Sequence, residues 1–164
     1  MNNNLPDLKV FHRSLMLIWV AIISGVVIIT FLAFTMQSMN VMTATPQAEA
    51  INQVLFLVAV ALAFAILFFK RSLFLPEKIV STLPEKSSIV KTELVLMRLR
   101  RNYITVWALG EAIALIGFVD YVFTGNSQYF LVYTVVSIYS VLVNMPRLVI
   151  AEKCFELIEE SVPS

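Results

Sequence analysis

Long apolar stretches dominate the pattern of hydrophobic and polar positions in this sequence. Segments 14–36, 51–69 and 128–145 contain no charged residue, and segment 104–123 is equally apolar except for two carboxylates. About 20 residues of helix cross a hydrocarbon core of roughly 30 Å. Because backbone polar groups in lipid must pair within the chain, we expect each segment to be a helix. The pattern predicts an all-α integral membrane protein, a bundle of four transmembrane helices.

The basic residues are distributed asymmetrically between the two sides of this bundle. All 12 Lys and Arg residues lie before the first span, between the second and third, or after the fourth, and connections 37–50 and 124–127 contain none. Cytoplasmic loops of membrane proteins carry an excess of Lys and Arg. We therefore predict that both termini and the 70–103 loop are cytoplasmic. The short outer connections favour a bacterial inner membrane as the location of this multi-pass protein.

Composition narrows the chemistry that the chain can perform. With 59% hydrophobic and 14% charged residues, we expect one membrane domain, 1–164, rather than a water-soluble enzyme. The single cysteine, Cys154, cannot form an internal disulfide, and the single histidine, His12, has no cysteine or histidine partner at zinc-site spacing. No phosphate-binding glycine loop or nucleophile motif occurs. We expect no metal, no cofactor and no nucleic-acid partner.

Two helical elements are expected on the cytoplasmic side. Segment 89–101 contains strong helix formers and no proline, so we expect it to continue into the third span as one helix. Arg98, Arg100 and Arg101 would then contact lipid headgroups, or would serve only to set the topology. Residues 147–160 have apolar and acidic faces at helical spacing. They predict a short amphipathic helix that lies on the membrane, docks on the 70–101 loop or docks on a partner protein.

A carboxylate lies near the middle of the third span. Glu111 follows Arg101 by about ten residues, roughly 15 Å of helix, and no Lys or Arg occurs within any span. An ionisable residue at this depth is normally paired, neutral or buried among helices, and is by default a functional-site hypothesis. A purely structural, hydrogen-bonded glutamic acid is the alternative. The hydroxyl side chains at similar depth that could bond it are Ser24, Ser137, Tyr139 and Ser140.

The same span carries a second carboxylate and a face of small residues. Asp120 lies on the opposite face from Glu111, since nine residues correspond to about 900° of helical turn, so the two cannot form a catalytic pair. We interpret Asp120 as a solvated anchor at the outer interface. Gly110, Ala114 and Gly117 share one face and would let another helix approach closely. This face predicts packing within the bundle or, alternatively, self-association.

Residues 101–119 resemble one helix of a known family. Arg101-Asn102 is followed by Trp107-Ala108-Leu109-Gly110-Glu111-Ala112-Ile113-Ala114-Leu115-Ile116-Gly117-Phe118-Val119. This stretch is similar to the carboxylate helix of the rotor-ring c subunit of F-type ATP synthases. The resemblance implies that Glu111 is a reversible proton site. It covers this one helix, and the remainder of the chain resembles no family as a whole.

Three classes of function follow from these patterns. We expect a small non-enzymatic subunit or accessory factor of a larger membrane complex, because short outer loops and cytoplasmic amphipathic elements suit contact with other subunits and with membrane lipids. The alternative is a proton- or cation-handling protein, a homo-oligomer in one version, that uses Glu111. A membrane enzyme acting on lipids would need a cluster of polar residues at one interface, and the sequence shows no such cluster.

Overall fold

The chain is described by a computed structural model over residues 5–39, 46–84 and 88–160. Connections 40–45 and 85–87 and both ends of the chain lie outside the described residues. The described part is helical and contains α1 (Leu5–Ser38), α2 (Ala48–Leu73), α3 (Pro76–Ser81), α4 (Ser88–Thr124), α5 (Ser127–Val143) and α6 (Leu148–Glu160). Four segments, α1, α2, α4 and the stretch that begins with α5, are long and apolar enough to cross a membrane. The expectation of an all-helical chain with four such helices is confirmed.

Three helices extend past the predicted spans at the end where the basic residues lie. Helix α1 begins at Leu5 instead of residue 14, α2 continues to Leu73, and α4 runs without a break from Ser88. Lys and Arg are good helix formers, so a charge ends the apolar segment without ending the helix. Helix α2 ends at Leu73, three residues before Pro76. We call this end of the molecule, which holds every described Lys and Arg, the basic end.

The turns that join the helices have clear local causes. Pro76 stands at the start of α3, where a missing amide donor costs nothing; this short helix was not predicted. Between α4 and α5, Gly125 has a φ of 67°, a backbone conformation that favours glycine. Asn126 then caps α5, because its side-chain oxygen accepts a hydrogen bond of 3.0 Å from the backbone N–H of Gln128. These features keep α4 and α5 adjacent and antiparallel.

Helix α4 occupies the centre of the structure. Helices α1, α2 and α5 all pack against it, and α5 also touches α1 and α2. Within the described residues, α1 and α2 make no contact with each other. The four long helices therefore form a diamond in which the α4–α5 pair separates α1 from α2, rather than a bundle with one shared central core.

The amphipathic helix α6 folds back onto the chain itself. Its buried residues join residues of α1, α3 and α4 in one apolar cluster at the basic end, made of Leu8, Ile79, Val95, Leu99, Ala151, Cys154, Phe155 and Ile158. Glu152, Glu156, Glu159 and Glu160 lie on the exposed face. Of the two docking modes left open by the sequence, the structure has the intramolecular one. Apolar burial carries the contact, since no ion pair joins the described residues of α6 to the basic residues nearby.

Side-chain donors satisfy backbone carbonyls at the basic ends of α2 and α5. The last carbonyls of a helix have no intrahelical partner. Trp107 donates its indole N–H to the carbonyl of Asn144 at 2.8 Å, and Trp19 donates to the carbonyl of Val141 at 3.1 Å. Asn102 donates in the same way to the carbonyl of Leu73, at 2.8 Å. These bonds join α1 and α4 to the end of α5, and α4 to the end of α2.

We expect Trp107→Phe to lower the free energy of unfolding by about 1–3 kcal/mol, because it leaves the carbonyl of Asn144 without its buried donor. Thermal unfolding of the purified protein in detergent measures the effect. Tyr139→Phe, which removes the hydroxyl of an exposed side chain, is the control and should change stability by less than about 0.5 kcal/mol. Equal stability of the two variants would show that the indole bond is not needed.

Candidate functional site

Glu111 lies on the side of α4 that faces α1, directly opposite Gly25. A Cβ atom built on Gly25 would lie 2.6 Å from Oε1 of Glu111 and 3.6 Å from its carboxyl carbon. The first distance is shorter than real Cβ contacts allow. The carboxyl group therefore occupies the space that a larger residue at Gly25 would fill, and it packs against the backbone of α1.

The carboxyl of Glu111 is not enclosed by the helices. Glu111 is half-buried, and its neighbours one turn away on the same face of α4, Ala108 and Leu115, are exposed. The carboxyl thus borders the outer surface of the helix assembly. We call this place, formed by Gly25, Glu111, Ala108 and Leu115, the α1–α4 seam.

The hydroxyl groups expected to bond Glu111 do not do so. Ser24 is exposed and donates to the carbonyl of Val20, and Ser140 donates to the carbonyl of Val136. Tyr139 is 66% exposed, and the hydroxyl of Ser137 is buried without a hydrogen-bond partner. Among the residues that the structure describes, no side chain forms a hydrogen bond or an ion pair with Glu111.

Gly25 is the contact that sequence reasoning missed. Its signal was present, because three of the four glycines lie in α4 or in the turn after it, and Gly25 is the remaining one. It stands near the middle of the first apolar segment, at a depth comparable to that of Glu111. A lone glycine inside a transmembrane segment indicates a close approach by a neighbouring group. Which group approaches depends on how α1 and α4 pack, and the sequence does not state this.

The interpretation of Asp120 as a solvated anchor is wrong. Its exposed fraction is 0%, and neither carboxylate oxygen has a hydrogen-bond partner among the described residues. Asp120 lies two helical turns beyond Ile113, on the face of α4 that packs against α2. On α2, which runs antiparallel, Asn52 lies two turns before Ala59 and so reaches the same level. Distance from the end of the helix suggested exposure, but coverage by neighbouring helices determines it.

Buried polar oxygens without partners continue from Asp120 along α5. They belong to Tyr133, Thr134 and Ser137, which are all buried against α4 or its neighbours. Asp120 is near enough to Tyr133 to interact with it electrostatically. Buried polar groups normally have partners, so this layer between α4 and α5 is an unusual feature of the described interior.

The small residues of α4 serve the packing of α4 on α5. A Cβ at Gly110 would lie 2.9 Å from Cγ2 of Val141, and a Cβ at Gly117 would overlap the side chain of Tyr133. Ala114, on the same face, is 1% exposed. These residues lie inside the molecule, and the face they share is covered by α5.

The arginines predicted at lipid headgroups lie at the start of α4. Arg98 donates a hydrogen bond to the hydroxyl of Thr82, whereas Arg100 and Arg101 are exposed. The exposed pair is free to reach lipid phosphates.

The described residues contain no group of three or more His, Cys, Asp or Glu that could hold a metal ion. Comparison of the chain with protein-family models, with curated proteins and with solved structures found no match.

Gly25→Leu should destabilise the protein by about 1–3 kcal/mol, because the new side chain competes with the carboxyl of Glu111 for one space. In the background of Glu111→Ala the same change should cost much less, and thermal unfolding of the four proteins measures this coupling. Ala21→Leu, at an exposed position one turn earlier, is the matched control. An equal cost in both backgrounds would mean that Glu111 does not occupy the space beside Gly25.

Proposed function

We propose that this protein is a small non-enzymatic subunit or accessory factor of a larger membrane complex, and that the α1–α4 seam faces a neighbouring protein. One observation carries the proposal. Glu111 reaches the outer surface of the helix assembly in the middle of an apolar helix, and the described residues give it no hydrogen-bond donor and no cation.

The physical reason is the cost of an unpartnered carboxyl in lipid. A charged carboxylate at the centre of a membrane helix costs about 2.5–3.5 kcal/mol on insertion scales, and such groups normally face the interior or pair with another group. Glu111 is packed against Gly25, and this contact leaves its oxygens without a hydrogen-bond partner among the described residues. A donor from an adjacent subunit would complete the site. The exposed apolar surfaces of α1 and α2 leave room for such a subunit.

The orientation belongs to the same proposal. We place the basic end, with both termini, in the cytoplasm of a bacterial cell whose inner membrane holds the four helices. The support is the distribution of Lys and Arg, all of which lie on one side of the four apolar segments.

A second function is favoured by a different observation. The unpartnered oxygens of Asp120, Tyr133, Thr134 and Ser137 form a polar layer inside an otherwise apolar helix assembly. Polar and ionisable groups inside membrane proteins often mark ion pathways and proton relays. Together with Glu111, this layer supports proton or cation handling by an assembly of several copies. It is also the function implied by the resemblance of residues 101–119 to the c subunit.

Native mass spectrometry of the tagged protein, extracted from its own membrane in mild detergent, separates the two functions. The accessory function requires an unrelated membrane subunit at fixed stoichiometry. Glu111→Leu, which removes every hydrogen-bonding atom of the side-chain carboxyl, should weaken that association about tenfold or more. Glu111→Gln should retain much of it, because the amide still accepts a hydrogen bond.

The control is Glu156→Gln, which changes an exposed acidic residue on α6 and should leave the complex intact. A closed assembly of this chain alone would contradict the accessory function. In that case, proteoliposomes containing a pH-sensitive dye test proton handling. Glu111→Gln should then abolish proton flux while the assembly persists.

The orientation is tested by cysteine labelling in a Cys154→Ala background. Gln47→Cys, before α2 and away from the basic end, should react in intact cells with a maleimide that cannot cross membranes. Lys78→Cys, on α3 at the basic end, should react only after the cells are permeabilised. Both positions are exposed, so accessibility to the reagent differs only by side. The reverse pattern of labelling would contradict the proposed orientation.

A further inference from the structure

An apolar groove runs between α2 and α5, on the other side of the α4–α5 pair from α1. Ala59, Ala63 and Leu67 line it from α2, and Val132 and Val136 line it from α5. Helix α4 closes its floor with Ile113. Contact between α2 and α5 is sparse, and the small side chains of α2 leave the groove open towards the surrounding membrane.

The face of α2 that lines the groove extends to the basic end of the molecule. There a second depression is lined by Lys70 and Phe74 of α2, by Tyr103 of α4, and by Arg147. Leu67 and Lys70 stand three residues apart and are therefore neighbours on one face of α2. From Ala59 in the groove to Lys70 in the second depression, this face of α2 extends for about 16 Å, close to half of a hydrocarbon core of roughly 30 Å. The stretch of α2 that joins the two depressions is therefore about as long as one leaflet is thick.

We call the second depression the mouth of the groove, and its charges favour an anion. Lys70 and Arg147 line it, and no acidic side chain among the described residues does. Neither cation forms an ion pair with a described carboxylate. The first turn of α6 also borders the mouth, through Ile150, and the amino end of a helix favours negative charge.

Tyr103 fixes the geometry of the mouth. Its hydroxyl accepts a hydrogen bond of 3.1 Å from the backbone N–H of Arg147, and its ring packs against Phe74, 4.6 Å between centroids. Tyr103 itself is 3% exposed. The position of Arg147 relative to the end of α2 is therefore set by a buried side chain of α4.

We propose that the α2–α5 groove binds an anionic phospholipid from the leaflet at the basic end, with one acyl chain along α2 and the phosphate between Lys70 and Arg147. The apolar length matches one leaflet, and the charge is placed where a headgroup would lie. Basic pockets between transmembrane helices bind anionic headgroups in this way. A helix from another protein would fill the groove but would leave both cations unpaired. The site is separate from the α1–α4 seam and does not depend on the function proposed for Glu111.

Native mass spectrometry of the delipidated full-length protein, titrated with phosphatidylglycerol or with phosphatidylcholine of the same acyl chains, tests the site. Phosphatidylglycerol should bind at least tenfold more tightly. Lys70→Gln combined with Arg147→Gln should remove this preference and lower the affinity for phosphatidylglycerol about 30-fold, from about 1 kcal/mol per cation. Lys78→Gln combined with Lys153→Gln, two exposed cations at the same end outside the groove, is the matched control and should leave both affinities unchanged.

A second variant tests the acyl chain independently of charge. Ala63→Phe fills the groove and should prevent retention of either lipid, while thermal unfolding shows whether the protein remains folded. The proposal is overturned if both lipids bind equally to the wild type, if the control pair lowers affinity as much as the groove pair, or if folded Ala63→Phe retains phosphatidylglycerol. A cysteine at position 63 that cross-links to another polypeptide in native membranes would assign the groove to a protein and would also overturn it.

Discussion

Backbone carbonyls at helix ends impose the main constraint on this structure, because an unsatisfied carbonyl in an apolar setting costs as much as a lost hydrogen bond. The basic ends of α2 and α5 meet this constraint with side chains from elsewhere in the sequence. Asn102 serves α2, and Trp107 and Trp19 serve α5. Pro146, which has no amide hydrogen, follows α5 and cannot donate to the carbonyl of Leu142, which accepts from the backbone N–H of Met145 instead. These side-chain bonds therefore fix the positions of the long helices relative to one another along the bundle axis.

Local chemistry was enough to predict most of the helices. Apolar runs located the four long helices, and the spacing of Ala151, Phe155 and Ile158 predicted the buried face of α6. Helix ends were less predictable, because charge marks the end of the apolar segment whereas proline or a cap marks the end of the helix. The diamond arrangement was not predictable either. It depends on which faces of α4 bind which neighbour, and pattern along one chain does not contain that pairing.

The candidate site, too, was predictable from the sequence only in part. The depth of Glu111 followed from counting residues along one helix, but its contact with Gly25 joins residues far apart in the sequence. Asp120 shows the opposite failure, since its position near a helix end suggested water, while the packed helices bury it completely. The hydroxyl groups considered as partners of Glu111 were chosen because they lie at a similar depth in the membrane. Depth alone does not decide which group a side chain bonds. Ser24 and Ser140 bond to their own helices instead, as serine commonly does in apolar helices.

The absence of contact between the described parts of α1 and α2 has a consequence for how the molecule responds to change. Residues that share no partner usually contribute to stability additively. Residues of α1 and α2 that share no neighbour therefore vary independently, and coupling between the two helices passes through α4, α5 and the apolar cluster at the basic end. An exposed residue of α1 can change without a compensating change in α2, whereas a buried residue of α4 must fit the neighbour that packs against it, and α4 has neighbours in α1, α2, α5 and α6. Among the described helices, α4 is consequently the one in which a substitution has the most neighbouring helices to accommodate.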